Sequence, residues 1–309
     1  MLASARPALD KSWAEREPSG VPPQGPAPQG RHRVFRAVWL VATSLLIISI
    51  LAVLCSIVWE YSTRRYLKGF SDAVIPAAAS PEEKVQAILN WMASGPARRA
   101  NDPGFSTPDR DPTDTLNYAS LLRVCGSATN AFVNLADSAG LASRRLLLLD
   151  SRGGTKHAVA EAFVDGRWIV VDPAFRTILR GKDGRALTKE ELRAPAVFAA
   201  ATSAIRGYSP DYTYESTVHV RLARLGILRA KLRRILDRIV PGWEDSTAMT
   251  LVLERESLAM LVGSLFLLFF LVLARIGLRW YGENRLGVEP LRVRDQFRRA
   301  LRAFVAAEG

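Results

Sequence analysis

The spacing of apolar residues changes repeatedly along this chain, and each change predicts an element. Residues 37–59 read AVWLVATSLLIISILAVLCSIVW, with no charge. A helix rising about 1.5 Å per residue over that run spans the roughly 30 Å hydrocarbon core of a bilayer. A second apolar run, SLAMLVGSLFLLFFLVLA, occupies 257–274. Trp39 and Trp59 flank the first run, Trp280 and Tyr281 follow the second, and Arg275 can snorkel at its end, as membrane-interface residues do. Transmembrane helices are therefore predicted over 37–59 and 257–278.

Between the runs the period is first helical. Ser80-Pro81-Glu82-Glu83 combines a capping box with proline at the first helical position, and Val85, Ile88, Leu89 and Met92 then share one face as far as Gly95. A second helix opens at Cys125, with Ala128, Ala131, Phe132 and Leu135 on one face and Gly140 at its C-terminal cap. The period then changes to that of strands, over 158–164 and 167–171, joined by Asp165-Gly166, a strong signal for a tight hairpin. His157 thus begins one strand and Asp172 ends its antiparallel neighbour, at one edge of the sheet. Further on come a strand-like stretch at 175–179, a turn at 181–184, and a capping box of Thr188 with Glu191 before a helix interrupted by Pro195. Tyr208, Tyr212 and Tyr214 read as packing at the domain edge, and His219 as a solvent-facing histidine. Over 218–240, Leu225, Leu228, Leu232, Ile235, Leu236 and Ile239 form a stripe against Arg224, Lys231, Arg233, Arg234 and Arg238. This basic amphipathic helix suits either an anionic lipid surface or a solvated face of the domain. The fold class is α+β.

Composition narrows the picture. The 309 residues carry a net charge of +12, with a pI near 10.2. The basic residues do not interleave with aromatic stacking groups, and two membrane segments account better for them, so no nucleic-acid partner is expected. There are two cysteines; Cys55 lies in the first apolar run, so the middle of the chain cannot hold a disulfide framework. The Pro-, Gly- and Gln-rich start reads as a disordered tail, and 95–116 as a loop, either plain surface or a wall of a substrate groove. Arg275, Arg279, Arg285, Arg292 and Arg294 follow the second span while Arg238 and Arg255 precede it, which places both termini in the cytoplasm.

Three side chains could act together. A thiol at a helix N-terminus feels the positive end of the helix dipole, which favours the nucleophilic thiolate. With Cys125 there, and with Asp172 able to hold His157, the pattern is that of a thiol–imidazole–carboxylate site. Zinc could also take Cys, His and Asp, but paired ligand spacing is missing, so no metal is expected.

The same stretch resembles the transglutaminase-like superfamily of thiol enzymes. The resemblance rests on Cys-Gly at a helix start, Gly-Leu-Ala-Ser-Arg-Arg leading into a strand, His-Ala in the next strand, and Asp-Gly-Arg-Trp before Val-Asp-Pro, and covers about residues 117–175. It implies a cysteine-proteinase-type domain with a helix-borne Cys packed on an antiparallel sheet, here flanked by two transmembrane helices. It also implies that Cys125 is the nucleophile, His157 the general base and acid, and Asp172 the orienting carboxylate. Asn117 or Tyr118, upstream of the cysteine, would help its backbone N–H hold an oxyanion. Two positions depart from the family pattern: Arg123 stands where Gly is frequent, and Val159 where Trp is frequent.

The expected organisation is a cytoplasmic tail (1–36), a span (37–59), an extracytoplasmic transglutaminase-like domain (60–215), a basic amphipathic helix and linker (216–256), a second span (257–278) and a cytoplasmic tail (279–309). The expected function is a membrane-anchored bacterial cysteine peptidase, amidase or acyltransferase acting on protein or peptide amides through a thioester, without a cofactor. Lipid and cell-envelope proteins are the expected partners, at the inner membrane with the domain in the periplasm. The alternative is a catalytically inactive binding module in a cell-envelope or polysaccharide-associated assembly.

Overall fold

The computed structural model describes residues 29–94, 112, 116, 125–221 and 228–287. Its contacts divide the chain into two units, Ile48–Phe269 and a second comprising Met1–Ile47 with Phe270–Gly309. The elements are helices α1 (Gln29–Val74), α2 (Pro81–Ala93) and α3 (Cys125–Ser138), strands β1 (Ser143–Leu149), β2 (Thr155–Val164), β3 (Arg167–Asp172) and β4 (Thr177–Ile178), helix α4 (Pro195–Thr202), strand β5 (Thr217–Val218), and helices α5 (Leu228–Ile239), α6 (Thr247–Glu254) and α7 (Glu256–Arg285).

Helices α1 and α7 are long and apolar enough to cross a membrane. Leu45, Ile48, Leu51, Phe266, Phe269 and Phe270 stay exposed along them, an arrangement that lipid tolerates and water penalises. In the unit formed by the chain's two ends, the Arg275 guanidinium lies 4.2 Å over the Trp39 ring and also meets the Thr43 hydroxyl. A Cβ on Gly282 would come within 2.5 Å of the Phe35 ring, so any larger residue there would have to displace that ring.

The larger unit is built around α3. The α2 capping box forms as expected, with Ser80 N–H donating to Glu83 Oε2 at 2.7 Å and Val85, Ile88, Leu89 and Met92 buried below. Helix α3 is buried over 127–136, not on one face alone, because the sheet, α2 and α6 all cover it. It ends in a Schellman motif: Gly140 has φ 70°, its N–H donates to Asp137 O at 2.9 Å, and Leu141 N–H donates to Ala136 O at 2.9 Å.

The antiparallel sheet has the order β4-β3-β2-β1-β5. Asp165 (φ 48°) and Gly166 (φ 82°) make the tight turn between β2 and β3, with Val164 paired to Arg167. Alternation splits the sheet between two cores. Ala160, Ala162, Val164, Ile169 and Val171 pack toward α2 and α3. Leu146, Leu148, Val159 and Val170 pack on the other side, against Leu192, Phe198 and Tyr214.

Several expectations shift at their edges. The apolar run 37–59 is only the middle of α1, which continues to Val74 and delivers Leu67 into the first core. The strand expected at 175–179 is reduced to Thr177–Ile178, because Arg176 adopts φ 58° and breaks the extension. Thr188 and Glu191 exchange capping hydrogen bonds, but over a short 3-10 turn, and α4 starts afresh at Pro195. Of the helix expected over 218–240, Leu228–Ile239 is helical and residues 222–227 lie outside the described residues, while Thr217–Val218 pairs with β1 as a sheet-edge strand, so the sheet extends beyond residue 215.

Candidate active site

Cys125 is the first residue of α3 and is half-buried, at the end of the helix that carries the positive pole of the dipole. Thr129, one turn on, donates its hydroxyl to Ala158 O at 3.1 Å and ties this end of α3 to β2. His157 is the third residue of β2 and Asp172 the last of β3. The register pairs Ala160 with Val171, which sets Asp172 opposite Val159 and makes His157 its diagonal neighbour on the same face. The strand pairing therefore places the two groups, and His157 Nε2 lies 2.8 Å from Asp172 Oδ2. Asp172 uses its other oxygen to accept the Phe175 N–H at 3.2 Å. Both side chains are buried, at 1% and 0% exposure.

The side chain of Cys125 hydrogen-bonds the same imidazole. With Nε2 taken by Asp172, Nδ1 is the nitrogen left to face sulfur. Burial works against a charged ring here, but the hydrogen bonds to Asp172 and then to Cys125 outweigh it, and the His157 pKa rises to about 9. The ring is thus held as imidazolium at neutral pH, between a carboxylate and a thiol.

Aromatic rings complete the enclosure. Tyr212 stacks on the imidazole with centroids 4.2 Å apart and planes 7° from parallel, while Phe175 and Tyr208 meet it edge-on at 5.9 and 6.2 Å. A phenol face against imidazolium is a cation–π contact as well as a lid against water. The buried Tyr208 and Tyr214 hydroxyls make no hydrogen bond of good geometry. Burial first, then Tyr214 and Asp172, raises the pKa of Tyr208, and burial followed by Asp172 does the same for Tyr214, so both stay neutral. A pocket of about 400 Å³ opens beside Tyr208, lined also by Phe198, Ala199 and Ile205 on the second-core side of the sheet.

Two of the three tyrosines expected at a domain edge, Tyr208 and Tyr212, therefore flank His157, while Tyr214 is buried in the second core. They lie in a segment that is neither helix nor strand, so only its aromatic density hinted at this role. Asn117 and Tyr118 lie outside the described residues, as do Arg123 and most of the loop 95–116. Val159, where the family pattern often has Trp, is fully buried in the second core and lines no groove.

His219 is not solvent-facing; it is buried at 4% exposure. Its Nε2 lies 2.7 Å from Glu161 Oε2 and its Nδ1 2.6 Å from Asp245 Oδ1, while Arg144 Nε donates to the same Glu161 oxygen at 2.8 Å. Arg144 also stacks 4.1 Å over Trp168. Burial disfavours charge on Glu161, yet the hydrogen bond from His219 and the nearby cations Arg144 and Lys189 leave its pKa below the usual carboxylate range.

A third polar cluster holds α3 from its C-terminal side. Arg255 donates from Nε to Asn134 Oδ1 at 2.9 Å and pairs with Asp137 at 2.8 Å and Glu60 at 3.3 Å. Ser257 donates to Glu60 Oε2 at 2.7 Å, and Asn130 and Asn134 donate to Glu254 O. Glu60 and Ser257 each begin or follow an apolar run, so this cluster joins α3 to the ends of both candidate spans. Among the described residues no group of His, Cys, Asp and Glu is arranged to hold a metal ion.

Residues 68–173 match the model of the transglutaminase-like superfamily, a segment that begins in α1 and closes just after Asp172. No curated protein and no solved structure matches the chain.

Proposed function

Residues 68–173 form a transglutaminase-like superfamily domain, and on that footing we propose that the chain is a membrane-anchored thiol enzyme acting on protein or peptide amide bonds. One observation carries the reading: a buried imidazole bound by Asp172 on one side and hydrogen-bonded by a helix-N-terminal thiol on the other. The imidazolium favours the thiolate form of its neighbour. Cys125 sulfur attacks the amide carbonyl, forming a carbon–sulfur bond and a tetrahedral oxyanion near the N-terminus of α3. His157 delivers its proton to the departing amine as the carbon–nitrogen bond breaks, leaving a thioester. Water or an amine then attacks that thioester, His157 takes the proton, and the acid product or a new amide leaves with the thiolate restored. Asp172 keeps the ring oriented and stabilises its charged form throughout. Asn117 or Tyr118 are proposed to assist the oxyanion.

The two apolar helices and the excess of arginine after the second support an inner-membrane protein with cytoplasmic termini and the domain outside. A second reading, an inactive binding module in an envelope assembly, is favoured by Arg123 at a position where the family often has glycine. Titrating the full chain with iodoacetamide at mildly acidic pH separates the two. Rapid alkylation of Cys125, abolished by His157→Ala, supports the enzyme. Alkylation at the rate of a simple thiol supports the binding module.

A further inference from the structure

Helix α5 is a strongly basic amphipathic element to which the proposed chemistry gives no role. Its twelve residues, LRAKLRRILDRI, hold five basic side chains and one acid. Taking about 100° per residue, positions 228, 232, 235, 236 and 239 fall in an arc of roughly 100°. Lys231 and Arg238 border one side of that arc and Arg229 the other. Ile235 is 53% exposed and Ile239 70%, as is the following Val240 at 48%, so this end of the stripe faces outward from the domain.

The helix is nevertheless held in place. Its end is fixed by the turn at Gly242 (φ 76°), and Trp243 is buried while its Nε1–H donates to Asp237 Oδ1 at 2.9 Å. Arg233 reaches Glu244 at 3.1 Å. From there the chain passes through α6 straight into α7, the second apolar helix, which begins at Glu256. An exposed apolar stripe bordered by cations and tethered this closely to a candidate span has one fitting occupant. A bilayer surface offers acyl chains to the stripe and phosphates to the arginines.

We propose that α5 lies on the surface of an anionic phospholipid bilayer, with Ile235 and Ile239 in the acyl boundary and Lys231 and Arg238 on lipid phosphates. The proposal requires that α7 span the membrane and is independent of the chemistry at Cys125. Its test uses the full chain carrying Cys55→Ser and Cys125→Ser, with a nitroxide on Ile239→Cys (or Ile235→Cys, should the first not fold). The protein is placed in nanodiscs of phosphatidylcholine, alone or mixed with phosphatidylglycerol. In the anionic discs the label becomes shielded from a water-soluble nickel chelate and accessible to oxygen. A label on Arg234→Cys, on the opposite face, stays open to the chelate in both. Each basic residue near such a surface contributes about 1 kcal/mol, so Lys231→Gln with Arg238→Gln shifts the docked-to-undocked ratio by roughly thirtyfold. High salt acts in the same direction. Equal accessibility of Ile239→Cys in the two lipids overturns the proposal. Shielding in detergent together with spin–spin broadening also overturns it, and assigns the face to a second copy of the chain.

Discussion

Two buried histidines, one in β2 and one just after β5, differ in what their second ring nitrogen meets. His157 and Glu161 lie four residues apart on one face of β2, with Val159 packed between them, and each belongs to an imidazole–carboxylate pair. His219 meets Glu161 through one nitrogen and Asp245 through the other, with Arg144 on the same carboxylate. His157 meets Asp172 through one nitrogen and a thiol through the other. Both arrangements give buried ring nitrogens their partners, although Glu161 Oε1 has none among the described residues, but only the second pairs the ring with a group that can become a nucleophile. The first joins β2 to the segment that leads to α6. A buried histidine is thus read by its second partner, not by its burial.

The sharpest break between the two is activity. His157→Ala is expected to lower amide turnover on the order of 10⁴-fold or more, because base, acid and imidazolium are lost together. His219→Ala should leave turnover by the folded fraction within about tenfold, since it touches no reacting atom. Parallel assays of thioester formation on a peptide library check this, and comparable losses in both variants would dissolve the distinction.

Stability reverses the ranking. Removing His219 takes one hydrogen-bond partner from the buried Glu161 carboxylate, which Arg144 still holds, and losing a hydrogen bond to a charged group costs about 1.5–3 kcal/mol. Arg255→Ala is expected to cost at least as much, because Glu60 and Asp137 lose their shared cation. Chemical denaturation of the full chain in detergent measures both. If His157→Ala destabilises more than either, burial and not chemistry explains its setting.

How much of this was readable beforehand follows from which signals are local. The α2 capping box, the start of α3 at Cys125, its glycine cap and the Asp165-Gly166 turn each depend on a few neighbouring residues, and each was legible. So was the pairing of His157 with Asp172, because a two-residue turn fixes the register and the register fixes the diagonal. The partners of His219 lie 58 and 26 residues away in sequence, and no periodicity reports such contacts. Tyr212 reaches His157 from an irregular segment, where neither the helical nor the strand period applies. Asn130 and Asn134 are buried by Glu254 and Arg255, which close over that side of α3 from more than a hundred residues away.

Proton occupancy at His157 gives a finer comparison. Its pKa in the folded chain, about 9, lies above the ordinary 6.5, so folding and proton binding favour one another. The resulting stabilisation is complete below about pH 6.5 and is lost as pH rises through about 9. Asp172→Asn should remove most of that dependence by leaving the ring neutral, while lowering turnover about 10⁴-fold through loss of the oriented imidazolium.

Tyr212→Leu is the smallest expected effect and the most selective. Losing a stacked ring costs about 0.5–1.5 kcal/mol beyond area, and the missing contact is one that favours the cationic imidazole. The alkaline limb of turnover should therefore move to lower pH, with turnover near neutrality little changed. A bulk packing defect would instead lower turnover evenly at every pH. Full pH–rate profiles of the two proteins tell these apart, and an unmoved alkaline limb would reduce Tyr212 to a cover over His157.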